Sequence, residues 1–181
     1  TTEQVQAALR QIGISSDNPQ GLFISGYFAE EEKRFAISYN MVLASNVDEL
    51  NFLASRLETL STGERAELNA ALQAPQSELF SIGRITDFPE NVDYYVHLPD
   101  VHGPAQLGDY YLNRSGMVDM PEEWKGGIDT AQFGRYVAQQ EQGVFTEYGY
   151  LVKSGDEWQK VHEGQPVPEE YRVLSFPAPE V

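Results

Sequence analysis

A chain of 181 residues with 28 Asp and Glu against 12 Lys and Arg carries a formal net charge of -16 and contains no cysteine. The missing thiols exclude a disulfide framework, a thiolate nucleophile, an iron–sulfur cluster and a Cys-based zinc site, so a reducing, cytoplasmic setting is the expectation. Hydrophobic residues at 41% and aromatic ones at 12% suffice for a packed core, which places the charge on a folded protein rather than on a disordered acidic chain. No apolar run approaches the roughly 18 residues that span a bilayer, and the opening TTEQVQAALRQ lacks both a basic start and a long apolar stretch. The chain is therefore expected to be neither embedded nor exported. A surface this negative repels phosphate backbones and anionic lipid, which argues against direct nucleic-acid or membrane binding and in favour of a basic partner.

In chain order, Val5, Ala8, Leu9 and Ile12 share one face of an opening helix that stops at Gly13. After the turn-rich SSDNPQG, two strand-like runs, Leu22 to Phe28 and Arg34 to Tyr39, flank AEEEK and read as a hairpin. Asn46, with Glu49 three residues on, is a capping-box start for a helix carrying Leu50, Leu53, Leu57 and Leu60. Ser61 and Glu64 repeat that pattern before Leu68, Ala71 and Leu72, and a short third helix is expected from Ser77 to Ile82, ended by Gly83. Residues 46–83 thus predict a small antiparallel helical unit.

The stretch Ile85 to Asn113 holds Asp87, Glu90, Asp93, Asp100 and Asp109 and no Lys or Arg. Tyr94 to Leu98 reads as a strand, and a helix over 104–115 presents Leu107, Tyr110, Tyr111 and Leu112 before Gly116. Pro121 suits the start of a short helix, and Asp129 caps another with Phe133, Tyr136 and Val137. VFTEYGYLV, after Gly143, is the best strand signal, expected to turn at Ser154 to Asp156 and return through Trp158; a proline-rich tail begins at Gln165. These pieces predict an α+β protein of three parts: a short N-terminal α+β domain over 1–46, a helical domain over 47–91, and a C-terminal α+β domain with an extended tail over 92–181. The three parts carry 5 acids and 3 bases, 8 and 3, and 15 and 6, so acids are spread over folded elements rather than gathered in a tail.

Chemistry-bearing patterns are few. In HLPDVH, His97, Asp100 and His102 lie close together but match no metal-ligand spacing. No nucleophile elbow, P-loop or dinucleotide glycine pattern is present. Carboxylate pairs such as Glu122 with Glu123, or Asp156 with Glu157, arise by chance among 28 acids. No catalytic residue, metal or cofactor is therefore expected. Phe23, Phe28, Phe35, Tyr94, Phe133, Phe145 and Tyr150 read as core; adjacent Tyr110 and Tyr111 point to different sides of one helix, so at least one is a candidate for self-association. Two readings of the charge remain: solubility, or imitation of a polynucleotide. At one charge per ~1.7 Å of duplex, 28 carboxylates correspond to about 48 Å of DNA, or about 14 base pairs.

The order of these pieces resembles the ArdA antirestriction proteins of conjugative plasmids and transposons. The resemblance rests on GIDTAQFGRYV (Gly127 to Val137), with Asp129, Phe133, Gly134 and Arg135 carrying it, on QLGDYYLNRSGMVDMPEEW (Gln106 to Trp124), and on VDELNFLASRLETLSTGERAELNAAL (Val47 to Leu72). It covers roughly Val5 to Val152. The chain departs from the family pattern in lacking a strand-forming segment and a Tyr-Asn-x-Gly-like loop ahead of Val5, in having Tyr136 where an acid tends to follow the Arg, and in extending over 153–181. The resemblance implies an elongated, curved, dimerising protein without enzymatic activity that occupies the DNA-binding groove of type I restriction-modification enzymes. On that reading the partner-contacting acids are Glu64, Glu67, Glu78, Asp87, Glu90, Asp93, Asp100, Asp109, Asp119, Glu122 and Glu123, with Tyr110 and Tyr111 at the dimer interface. The alternative is an acidic interaction module for a basic partner unrelated to DNA enzymes.

Overall fold

The computed structural model describes residues 1–14 and 34–174. They form helices and a small antiparallel sheet, an α+β architecture, in two compact units, each built from separate stretches of sequence.

The first unit draws on Thr1–Ser61, Glu78–Glu90 and Gln159–Val181. Helix α1 (Thr2–Gln11) is capped by Thr1 and Gln4, and the chain leaves it through Gly13 at φ +81°, a left-handed conformation that glycine adopts freely. Helix α2 (Tyr39–Leu43) starts at Ser38, whose Oγ accepts from the Met41 amide at 3.3 Å. The first strand of the expected hairpin, Leu22 to Phe28, lies outside the described residues; the second does not form, because the Ser38 cap starts a helix where a strand was expected to end. Helix α3 (Val47–Glu58) has the full capping box: Asn46 Oδ1 accepts from the Glu49 amide at 2.9 Å, and Glu49 Oε2 from the Asn46 amide at 3.0 Å. It buries Phe52, Leu53 and Leu57 and packs on α5 (Ile82–Thr86). Ser81 caps α5, so Gly83 lies inside that helix instead of ending one over Ser77 to Ile82. Leu79, Ile85 and Phe88 complete the core.

The second unit draws on Thr62–Ser77 and Asn91–Trp158. Of the helices within residues 47–91, α3 and α5 belong to the first unit, and α4 (Thr62–Gln73) packs on strand β3 of the second. The sheet runs β1 (Tyr95–Leu98), β3 (Gly149–Lys153), β2 (Val144–Thr146), with Tyr95 opposite Lys153, Leu98 opposite Tyr150, and Val144 opposite Leu151. VFTEYGYLV is thus not one strand. Thr146 Oγ1 bonds both the Gly149 carbonyl and the Tyr148 amide, and Gly149 at φ +112° completes a turn that folds the run into a hairpin. No return strand passes through Trp158; β1 takes that place beside β3.

Helix α6 (Pro104–Asp109) has Pro104 in its first turn and continues into a π-helical turn, Tyr110–Arg114. After α7 (Glu122–Lys125) comes α8 (Thr130–Glu141), which Asp129 caps by accepting from the Gln132 amide at 3.0 Å. α6 and α8 cross at glycine. A Cβ on Gly134 would lie 1.8 Å from the Pro104 carbonyl oxygen, and one on Gly108 would lie 1.9 Å from that of Thr130. Two residues without side chains let the backbones touch, and Leu107, Ala138, Val101 and Tyr150 close the core around that crossing.

Candidate functional site

The carboxylates sort by how much of each the fold has already engaged. Asp87 is fully buried, and its two oxygens accept from the amides of Val161 (3.2 Å), His162 (2.6 Å) and Glu163 (3.1 Å). This is a structural joint, so Asp87 is corrected out of the solvent-facing set. Glu90 pairs with Arg56, Glu78 lies 3.7 Å from Arg84, and Glu163, missed in the sequence, lies 3.0 Å from the same guanidinium. Asp109 accepts from Asn113 at 2.8 Å and lies 3.6 Å from Arg114. Glu122 is exposed and holds Lys125 at 2.6 Å.

Asp93, Asp100, Asp119 and Glu123 differ from these: all four are exposed, and none makes an ion pair among the described residues. All four sit in the second unit, as do exposed Glu147, Asp156 and Glu157, which were not among the acids expected to meet a partner. Sheet register locates several of them. Asp100 follows β1 at the sheet end where Glu147 lies in the β2–β3 turn, while Asp93 precedes β1 at the opposite end, where Asp156 follows β3. At ~3.4 Å per strand residue, those two ends are separated by about 13 Å.

Glu64 and Glu67 are half-buried on α4. Glu67 is pushed up to about 8, first by burial, then by the negative charges of Glu64 and Asp93. Tyr111 and Tyr150 both donate to Glu141, Tyr111 at 2.8 Å. Burial and that carboxylate raise both phenols above their ordinary range. The Tyr111 ring packs against the unit's own core, and Tyr110 does likewise with Arg114 lying 5.5 Å over its ring. Glu141 had no signal in the sequence beyond being the last residue of its helix.

Asp87, Glu90 and His162 bring ligand atoms within 4.8 Å of one another. Each is already engaged: Asp87 by three amides, Glu90 by Arg56, and the His162 ring edge-on to Phe52 at 5.0 Å. In HLPDVH, His97 Nε2 is bonded to the Tyr148 carbonyl at 2.7 Å. A cleft of about 820 Å³ in the first unit has Phe52 and Ile82 among its lining residues. Among its described lining residues the one carboxylate is Glu49, held by its own capping box. No helix among the described residues is long and apolar enough to cross a membrane.

The molecule is therefore an acidic α+β protein of two compact units whose second unit presents solvent-facing carboxylates on a small sheet and its flanking helices. The family model described as Antirestriction protein (ArdA) matches residues 1–152. The chain belongs to the ArdA antirestriction family. No curated protein matches the chain by sequence. The segment GIDTAQFGRYV acquires a physical meaning: Asp129 caps α8, Gly134 makes the helix crossing, and Arg135 stands exposed beside it.

Proposed function

We propose that this protein is a non-enzymatic, cytoplasmic inhibitor of type I restriction-modification enzymes that occupies their DNA-binding groove as a mimic of DNA. The observation that carries the reading is the set of exposed carboxylates of the second unit, Asp93, Asp100, Asp119 and Glu123, which make no ion pair among the described residues. A groove that holds DNA is lined with Lys and Arg placed to neutralise phosphates. Carboxylates held on ordered elements meet the same cations, release counterions in the same way, and lose less entropy on docking than a flexible acidic tail. Glu64, Asp109 and Glu122 extend the array on the second unit, and Glu78 and Glu90 are further candidate contacts on the first, with partners that would have to be exchanged on binding. Asp87 fastens residues 161–163 within the first unit and does not contact the partner. Self-association through the helix that bears Tyr110 and Tyr111 would double the charged surface.

The test is competition: a type I enzyme bound to labelled duplex DNA is titrated with this protein. Displacement of the DNA with matching saturation of one site supports mimicry. Binding of the protein beside retained DNA makes it an acidic module for a basic surface elsewhere on the enzyme. Sedimentation at micromolar concentration tests the dimer, and a monomer throughout removes it.

A further inference from the structure

Helix α4 is attached to the second unit by Leu68, Ala70 and Ala71, all fully buried, and by its packing on β3. Glu67 stands next to Leu68 in that helix, and its Oε1 is buried without a hydrogen-bond partner. The ionisable groups on the surrounding elements are Glu64 and Arg65 on α4, Asp93 and Tyr94 before β1, Tyr95 and His97 on β1, and Tyr150 and Lys153 on β3. Of these, Glu64 and Asp93 act on the Glu67 carboxyl, and both are negative. An ionised Glu67 would put a third negative charge beside two others with one oxygen cut off from water and from any donor. A protonated one leaves a neutral group whose burial costs far less.

We propose that α4 docks on β3 with Glu67 protonated and that loss of this proton loosens the helix, a pH-sensitive joint built into the second unit. Burial of an unpartnered oxygen and the like-charged neighbours give the joint its sense: alkalinisation opens it and acidification closes it. The midpoint of about 8 for Glu67 places the transition just above neutrality. This joint is independent of what the protein binds, since it follows from the packing of α4 alone.

Hydrogen exchange on the full chain tests it, comparing wild type with Glu67→Gln at pH 6.5 and 9 after correction for intrinsic exchange chemistry. In wild type, the amides of Leu68 to Leu72 lose at least tenfold more protection on alkalinisation than the rest of the unit; in Glu67→Gln they do not. Equal pH dependence in the two proteins overturns the proposal. Carbon-13 titration of the Glu67 carboxyl in wild type gives a second readout that needs no variant. A midpoint between about 7 and 9 supports the joint, and one near the ordinary 4.5 overturns it.

Discussion

The two units engage the same side-chain chemistry to different degrees. In the first, carboxylates are fasteners. Asp48 Oδ1 accepts from the amides of Val173 and Leu174 at 2.7 and 3.2 Å, Glu49 closes the α3 cap, Asp87 gathers three amides, and Glu78, Glu90 and Glu163 meet Arg84 or Arg56. In the second unit, Asp93, Asp100, Asp119, Glu123, Glu147, Asp156 and Glu157 all point to solvent without an ion pair among the described residues. The division is one of degree, since Glu3, Glu58, Glu169 and Glu170 of the first unit are exposed as well, and Asp129 and Glu141 of the second are engaged by the fold. It nevertheless separates acids that the fold needs from acids that are available to a partner, a distinction that net charge alone does not make.

The comparison breaks most visibly at Asp87. Asp87→Ala strands three part-buried amides and is expected to cost about 3–5 kcal/mol, read as a lower urea midpoint with an unchanged slope. A loss under about 1 kcal/mol would mean that the joint is not structural. Gly134→Ala comes next: a methyl 1.8 Å from the Pro104 carbonyl forces α6 and α8 apart, at about 1–3 kcal/mol, measured the same way.

Glu67 supplies the pH dependence. Its carboxyl keeps a proton in the fold that the unfolded chain gives up near 4.5, so the stability it contributes is complete below that pH and is lost as pH rises through about 8. With solvent screening allowed for, the loss amounts to about 1–3 kcal/mol. Thermal melts should therefore show wild type losing ground to Glu67→Gln between pH 5 and 8.5, and parallel curves would contradict this. The smallest stability effect belongs to single neutralisations such as Asp100→Asn or Asp119→Asn, within about 0.5 kcal/mol by the same urea melts.

What was legible in the sequence followed local chemistry. α3 was readable because Asn46 and Glu49 form a box just ahead of a leucine stripe, and α8 because Asp129 precedes its own helix by one residue. Local punctuation also misled: Gly83 read as a stop but sits inside α5, and Gly149 inside an apolar run was passed over although its positive φ makes the β2–β3 turn. Fate at long range was out of reach. Nothing near Asp87 announces that its partners lie at residues 161–163, or that Glu141 will accept from Tyr111 and Tyr150. A one-dimensional reading therefore ranked Asp87 with Asp93 and Asp100, and only burial tells them apart. The interleaving of the units was hidden for the same reason, since α4 and β3 are far apart in the chain.

The most direct measurement is DNA displacement from a type I restriction-modification enzyme by wild type and by the fourfold variant Asp93→Asn, Asp100→Asn, Asp119→Asn, Glu123→Gln. Four exposed pairs at ~0.2–1 kcal/mol each predict that the variant, melting like wild type, competes more weakly by between about fourfold and several hundredfold. Undiminished competition by a variant that is still folded would contradict the assignment of the partner-facing charge to the second unit.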